Sequence, residues 1–511
     1  MNPLDISILG SGIATSLTLV EVFGRLLDAP GPHPLSIAVV EKSHEFWKGI
    51  PYGSRSSVNA LTITCVEDFV NETERPVFFR WLKDHKDEWA AWYRANGGIT
   101  AARWLENNLS LIDREDWKTV YIPRFLFGNY LAEKVTRMLQ AVEDKGLARV
   151  RLIQAEAIDV IVNPGGLHEI TLEHSDGIRS VLTTRKLVVS TGSAPVRKMC
   201  DPTGADVAYI NDIYEPSVAA SIQKLECALA HSGPGGRNVL VIGSNASSIE
   251  LLYLLEGLPR LRELMDQLVI ISPSGILPYH TSTEVLDTYP MPALGALTDY
   301  TIETLVSAAT QDIRLALRDG ANMDYIGAII KHTLALMDVL DEDAKKQFYA
   351  IHGVRLRDLF RRAGPEYRGA ADLLIHTEKV SLLKGRFLST HTTENGAAFD
   401  YQDGTTGQEI THPLSFRVII NCSGSDNLDQ SPSRLLHNLV HRQICRMNLS
   451  GKGFEVNERF EAAPNLYVMG PLLGGNMNKL IHFWQLENAS RLTYLAPYLA
   501  GELLNGFNEQ V

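Results

Sequence analysis

A chain of 511 residues exceeds what one hydrophobic core usually supports, so two or three domains are expected. Hydrophobic residues at 45% and charged residues at 21% are an ordinary globular balance, which excludes a disordered or low-complexity chain. The formal net charge of -12 argues against a nucleic-acid or anionic-membrane partner, since both reward a basic surface, and favours a small-molecule substrate.

No basic segment precedes an apolar core at the start, and no apolar run reaches membrane-spanning length, so a cytoplasmic location is expected. The cysteines Cys65, Cys200, Cys227, Cys422 and Cys445 are scattered without a C-x-x-C pair. That pattern suggests buried structural thiols, with neither a redox disulfide nor a metal site.

In chain order, the β-rich run Asp5 to Leu9 breaks at Gly10 and Gly12 and opens into apolar positions at helical spacing, Leu17, Val20, Phe23 and Leu27. Strand, glycine turn and helix are the parts of a dinucleotide-binding βαβ unit. Gly10 permits the tight turn, and Gly12 lets backbone N–H groups approach a pyrophosphate. Ile13 and Ala14 open the helix whose positive end faces that pyrophosphate. Thr15 stands where glycine or alanine is usual, a position that serves helix-to-strand packing. The next strand, Leu35 to Val40, ends at Glu41 with Lys42 beside it. A carboxylate there accepts hydrogen bonds from ribose hydroxyls, which favours FAD or NAD over a 2′-phosphorylated nucleotide.

The apolar strand Lys186 to Ser190 ends in Thr191-Gly192, and the run Ser232-Gly233-Pro234-Gly235-Gly236 reads as a domain boundary. A second strand, turn and helix begins at Arg237 to Ile242 and continues through Gly243, Ser244, Asn245, Ser247 and Glu250. Asn245 takes the place of the second glycine and is among the few residues that tolerate left-handed backbone angles. Its following strand, Leu268 to Ile271, ends in Ser272. No acid waits there to repel a 2′-phosphate, so NADPH is favoured over NADH.

A helical pattern follows from about Asp299 to Arg362, with Ile302, Leu305, Ala309, Ile326, Ile329, Ile330, Leu334, Met337 and Leu340 on its apolar faces. The late strand Arg417 to Asn421 ends at Ser423-Gly424 and reads as a partner returning to a nucleotide-binding sheet. Pro464 to Met469 reads as a last strand, Gly470-Pro471-Leu472 as its turn, and a helix is expected from about Ile481 to the end. The expected fold is α/β, with two Rossmann-like dinucleotide-binding domains, the second inserted in the first. Residues 1–235 are expected to form the first part of the first domain, 236–410 the inserted second domain with a helical insertion at about 299–375, and 411–511 the return to the first.

Two such motifs resemble the flavoproteins with paired dinucleotide-binding domains. Lys48-Gly49-Ile50-Pro51-Tyr52-Gly53 with Asn59, the run Tyr121 to Leu131, and Ser272 to Pro278 with His280 are similar to bacterial FAD-NAD(P)-binding proteins, a family that includes FAD-dependent urate hydroxylases. A looser resemblance, through Glu67-Asp68-Phe69-Val70 and Gly243 to Glu250, runs to the flavin monooxygenases that hydroxylate the side-chain nitrogen of lysine or ornithine. The resemblance implies FAD in the first unit and NADPH in the second. It also implies hydride transfer to the flavin, capture of O2 as a C4a-peroxide, and oxygen transfer to a small amine or amino-acid-like substrate. Chemistry carried by a flavin needs no nucleophilic side chain, in keeping with the absence of a nucleophile elbow or triad.

The same resemblance sets Tyr52, Asn59 and Asp68 on segments beside FAD, and Arg124 is the guanidinium that fits a phosphate or carboxylate. Lys479 and His482, followed by Trp484 and Gln485, come after the turn that faces the isoalloxazine in the wider fold. They and Asn245 are the candidate catalytic residues, with His280 on the nicotinamide side. Two other readings stay open: an NAD(P)H oxidoreductase or dehydrogenase without oxygen transfer, and a non-catalytic flavin-binding protein marked by Thr15 and Asn245. A homo-oligomer is also left open.

Overall fold

The computed structural model describes residues 2–201, 207–233, 235–280, 290–319, 321, 323–353, 356, 359, 362–483 and 489–507. Two sheets carry the chain. The first runs, edge to edge, Glu461–Ala463, Leu466–Val468, Arg179–Val189, Leu4–Leu9, Leu35–Glu41 and Ala148–Gln154. From Leu466–Val468 onward its neighbours are parallel, with Ile6 opposite both Ile37 and Lys186. Glu156–Val162 and His168–Glu173 join it as an antiparallel meander on Arg179–Val189. Strands such as Leu4–Leu9 and Leu35–Glu41 are almost wholly buried, which explains their continuous apolar runs: a parallel sheet is covered on both faces.

The covering helices include Ile13–Asp28, packed between Arg124–Asp144 and the terminal helix Ala489–Leu504. Lys186 fastens that terminal helix to the sheet. Its ammonium donates to the carbonyls of Glu502 at 2.8 Å, Leu503 at 3.1 Å and Asn505 at 2.6 Å, satisfying orphan acceptors at a helix end.

The second sheet has seven strands in the order Glu409–Thr411, Gly396–Asp403, Val380–Thr393, Gln267–Ser272, Asn238–Ile242, Val418–Asn421 and Ala208–Ile210. Its four strands from Val380–Thr393 to Val418–Asn421, together with Ala208–Ile210, pair in parallel. This pairing corrects the boundaries expected from the sequence. Val418–Asn421 belongs beside Asn238–Ile242, so the chain rejoins the first sheet only at Glu461–Val468, not at 411. Ala208–Ile210 and the helix Val218–Ala230 also belong with the second sheet, so that unit begins before the glycine-rich run and not after it. The crossings between the units are the segments after Val189 and after Asn421. They lie side by side: Val196 bridges Ser425, the Arg197 N–H donates to Gly424 O at 3.1 Å, and Asn421 Nδ2 donates to Arg197 O.

The helical insertion builds its own core from Leu294, Ile302, Leu305, Ala309, Ile313, Ile326, Ile329, Ile330, Met337 and Phe348. The helix Pro365–His376 is not part of it. It packs on Ala246–Glu256 as the crossover of the second unit. At the C-terminus a helix covers Ala489–Leu504, and around Ile481, where the sequence leads one to expect a helix, Met477 and His482 pair instead as a two-stranded ribbon.

Candidate dinucleotide cradles

The two sheets present the same turn twice. Gly10 has φ 93° and Gly243 has φ 106°. A Cβ on Gly10 would overlap the carbonyl of Ser190, and one on Gly243 would overlap the carbonyl of Cys422. Both positions therefore require glycine for conformation and for space. Gly10 N–H donates to Val40 O and Gly243 N–H to Ile271 O, each at 2.8 Å, so each turn is tied to the second strand of its own sheet.

The departures from the usual glycine pattern prove to be matched pairs. Thr15 Oγ1 donates to Gly10 O at 2.7 Å and Ser248 Oγ to Gly243 O at 2.5 Å, so a hydroxyl closes each turn at the third position. Asn245 has φ −82° and ψ −169°, close to Gly12 with φ −70° and ψ −174°. Asn245 is thus extended backbone that any residue adopts, and its tolerance of left-handed angles is not used. Neither Thr15 nor Asn245 distorts its turn.

Both helices begin without a side-chain cap and without an acid in the first turn, so their leading N–H groups and positive ends suit a pyrophosphate. Around the first turn, Thr191 and Gly192 continue the strand that touches Gly10, and a Cβ on Gly470 would reach Ala14 Cβ at 3.4 Å. Gly470, Pro471 and the buried Leu472 therefore lie at the first helix's start. Gly424 does not join them. It follows the strand packed on Gly243 and belongs to the second cradle.

The strand ends after the two turns differ in charge. Glu41 Oε2 accepts from Ser11 N–H at 2.9 Å and Ser11 Oγ at 2.8 Å, and Oε1 accepts from Ser43 N–H. In the second unit Ser244 Oγ donates to Ser272 Oγ at 2.8 Å. Serine thus stands in the carboxylate's place against an equivalent partner. Ser11, which orients Glu41, was not singled out by the sequence; its position between two glycines is the signal. Ser247 lies in the first turn of the second helix and is half-buried, while Lys42 is an exposed partner of Glu156 at 3.6 Å.

The remaining candidates divide. Tyr52 is buried against Phe69 and Phe127, and a Cβ on Gly128 would overlap its carbonyl, so these motif segments clasp each other. Gly49 presses on Gly12, where a Cβ would come within 3.0 Å of the Gly12 Cα. The Lys48–Gly53 segment therefore lies against the first cradle. Asn59 donates from Nδ2 to Gly97 O, while its buried Oδ1 has no partner among the described residues. Asp68 is exposed and faces Cys65.

Arg124, expected at a cofactor phosphate or carboxylate, instead meets partners within the chain. Its Nε donates to Leu61 O at 2.8 Å, and its Nη2 lies 3.0 Å from Glu250 Oε2, offset from hydrogen-bond alignment. Burial opposes its charge, and Glu250 and the surrounding tyrosines hold it strongly protonated. It ties the first unit to the second unit's helix rather than offering itself to a phosphate. Tyr367 works alongside, accepting from Leu61 N–H at 2.7 Å.

Lys479 is exposed and 3.6 Å from Glu458, away from either turn's hydrogen bonds, whereas the His482 ring faces Tyr349 of the helical insertion at 6.4 Å. Met477 packs into the insertion's core. Trp484 and Gln485 lie outside the described residues, as does the side chain of His280. All five cysteines are free, with Cys422 and Cys445 buried, and among the described residues no cluster suits a metal ion. No described helix is long and apolar enough to cross a membrane.

A family model described as FAD-NAD(P)-binding matches residues 7–194, which hold the whole first cradle except its C-terminal turn. An uncharacterized protein of Mycobacterium tuberculosis is 35% identical, over 98% of this chain and 95% of its own length. Among solved structures, a Kutzneria ornithine N-hydroxylase, described with reduced FAD, NADP+ and L-ornithine, matches with TM-score 0.55 and 16% identity over 99% of both chains. An FAD-bound cadaverine monooxygenase of Erwinia amylovora matches with TM-score 0.56 and 13% identity, over 100% of this chain and 95% of its own. A Pseudomonas syringae L-lysine 6-monooxygenase matches with TM-score 0.54 and 15% identity, over 98% and 99%. At such identities these structures establish the fold, two dinucleotide-binding domains in one chain. Together with the doubled turn and the 35% relative, the family match shows that this chain belongs to the FAD-NAD(P)-binding family.

Proposed function

We propose that the protein is an FAD- and NADPH-dependent monooxygenase that hydroxylates a nitrogen of a small amine or amino-acid-like substrate. The observation that carries this reading is the pair of matched cradles with opposite strand ends, Glu41 in one and Ser272 in the other. A carboxylate suits the free ribose of FAD, and a serine leaves room for a 2′-phosphate. The full-length likeness to enzymes named for ornithine, lysine and cadaverine supports an amine as the substrate.

FAD held at Gly10 to Thr15, Glu41 and Gly470 would supply hydride acceptance and oxygen activation. NADPH would be held at Gly243 to Ser248 and Ser272. The balanced reaction is R–NH2 + O2 + NADPH + H+ → R–NHOH + NADP+ + H2O, with the nitrogen oxidised and one oxygen atom leaving as water. The chain's own part is to bind both nucleotides, orient them and exclude water. The substrate would lie where the ribbon at Met477 and His482 meets Tyr349 of the helical insertion, beneath a cover built from one added core.

The test is to supply the purified flavoprotein with NADPH, oxygen and a panel of diamines and basic amino acids. The reading predicts that one amine raises NADPH consumption and yields a product heavier by one oxygen atom. Oxygen returned entirely as hydrogen peroxide across the panel would replace it with an NAD(P)H oxidoreductase that transfers no oxygen.

A further inference from the structure

The two units also differ one strand further out. Beside Glu41, the neighbouring strand places Gln154 in register; beside Ser272, it places Lys384. The pair carries one negative charge in the first unit and one positive charge in the second. The Lys384 stem packs on the turn that follows Ser272: a Cβ on Gly275 would come within 2.8 Å of the Lys384 Cβ. Glycine there, with φ 65°, lets the lysine lie against the loop. The loop's polar groups converge. Ser272 Oγ accepts from Gly275 N–H at 3.0 Å and lies 3.3 Å from Ser274 Oγ, and Ser274 Oγ accepts from Ile276 N–H. Among the described residues the Lys384 ammonium forms no ion pair, and the side chain is exposed. The Asp403 carboxylate is held low by the Thr406 and Thr405 N–H groups first and by Lys384 last.

We propose that Lys384, with Ser272 and Ser274, binds the 2′-phosphate on the adenosine ribose of NADPH, making Lys384 the residue that sets NADPH over NADH. The proposal rests on the reading that the second unit takes a nicotinamide dinucleotide. The ammonium supplies the charge and two hydroxyls supply donors, the donor set a phosphate dianion needs. The first unit, with Glu41 and Gln154 in the same two places, offers neither.

The experiment is isothermal titration of the full-length flavoprotein with adenosine 2′,5′-bisphosphate and with 5′-AMP, for wild type, Lys384→Glu and Lys384→Arg. Anaerobic flavin reduction by NADPH and by NADH is followed in parallel. Wild type should bind the bisphosphate about tenfold or more tighter than 5′-AMP, the order of a charge-assisted phosphate contact. Lys384→Glu should abolish that ratio with 5′-AMP affinity unchanged, and Lys384→Arg should keep it. A ratio that survives in Lys384→Glu overturns the proposal while leaving the second unit a nucleotide site. If neither nucleotide binds and neither NADPH nor NADH bleaches the flavin, the reading of the second unit itself falls, and the proposal with it.

Discussion

The first and second units of this chain share a backbone and differ in chemistry. Gly10 and Gly243 hold the same left-handed turn under the carbonyl of a neighbouring strand, and Thr15 and Ser248 close that turn with the same hydroxyl bond. What changes is the polar pair at the strand end, Glu41 with Gln154 against Ser272 with Lys384. On the proposed function, the turn accepts any pyrophosphate and the strand end selects which ribose comes with it. The units differ also in what covers them. The first takes in the C-terminal turn at Gly470 and the terminal helix, while the second carries the helical insertion that reaches back to Met477 and His482.

The comparison is broken most severely at the turns. Gly10→Ala puts a Cβ into the Ser190 carbonyl at a φ that L side chains avoid, a loss of about 3 kcal/mol or more, and the purified protein should lack flavin absorbance. Next comes the tie between the units. Arg124→Met leaves Glu250 buried without its cation and should cost about 3 kcal/mol in thermal unfolding, with much of that recovered when Glu250→Met is added.

The seam between the units also contains Glu366, in a cavity of about 220 Å³ lined by Thr100, Trp104, Tyr253 and Glu256. Burial raises its carboxyl to about 7. The folded pKa lies above the unfolded one, so its stabilising contribution is complete below the unfolded pKa and is lost as pH rises through about 7. Glu366→Gln should therefore stabilise the protein at pH 8 by about 2 kcal/mol relative to wild type and flatten the fall in Tm between pH 5 and 8, a change resolved by calorimetry. Last, Thr15→Val and Ser248→Ala each remove the hydroxyl that closes a turn. Each should lower stability by about 1 kcal/mol, the first weakening flavin retention and the second the KM for NADPH.

Much of this was legible in the sequence because strand, turn and helix lie within a few residues of one another. The turns at Gly10 and Gly243 and the strand ends at Glu41 and Ser272 follow from local pattern, and the insertion's core from helical spacing at residues such as Leu305, Ile326 and Ile330. What was not legible depends on long-range register. Ala208–Ile210 is only three residues long and gives no periodic signal, so the domain boundary was set too late, at the glycine run. Val418–Asn421 is as apolar as a strand of either sheet, and only its partner distinguishes them. Arg124 and Lys384 acquire meaning from Glu250 and Ser272, residues more than a hundred positions away that no local motif connects to them.

In the proposed function the first cradle holds the flavin and the second delivers the reductant to it. Its most direct test is an anaerobic titration of the purified protein with NADPH, followed at the flavin absorbance bands, before oxygen is admitted. The expected result is a yellow protein with one FAD per chain, bleached by NADPH and recoloured by oxygen. A protein that stays colourless after mixing with FAD, or a bound flavin that neither NADPH nor NADH bleaches, would contradict it.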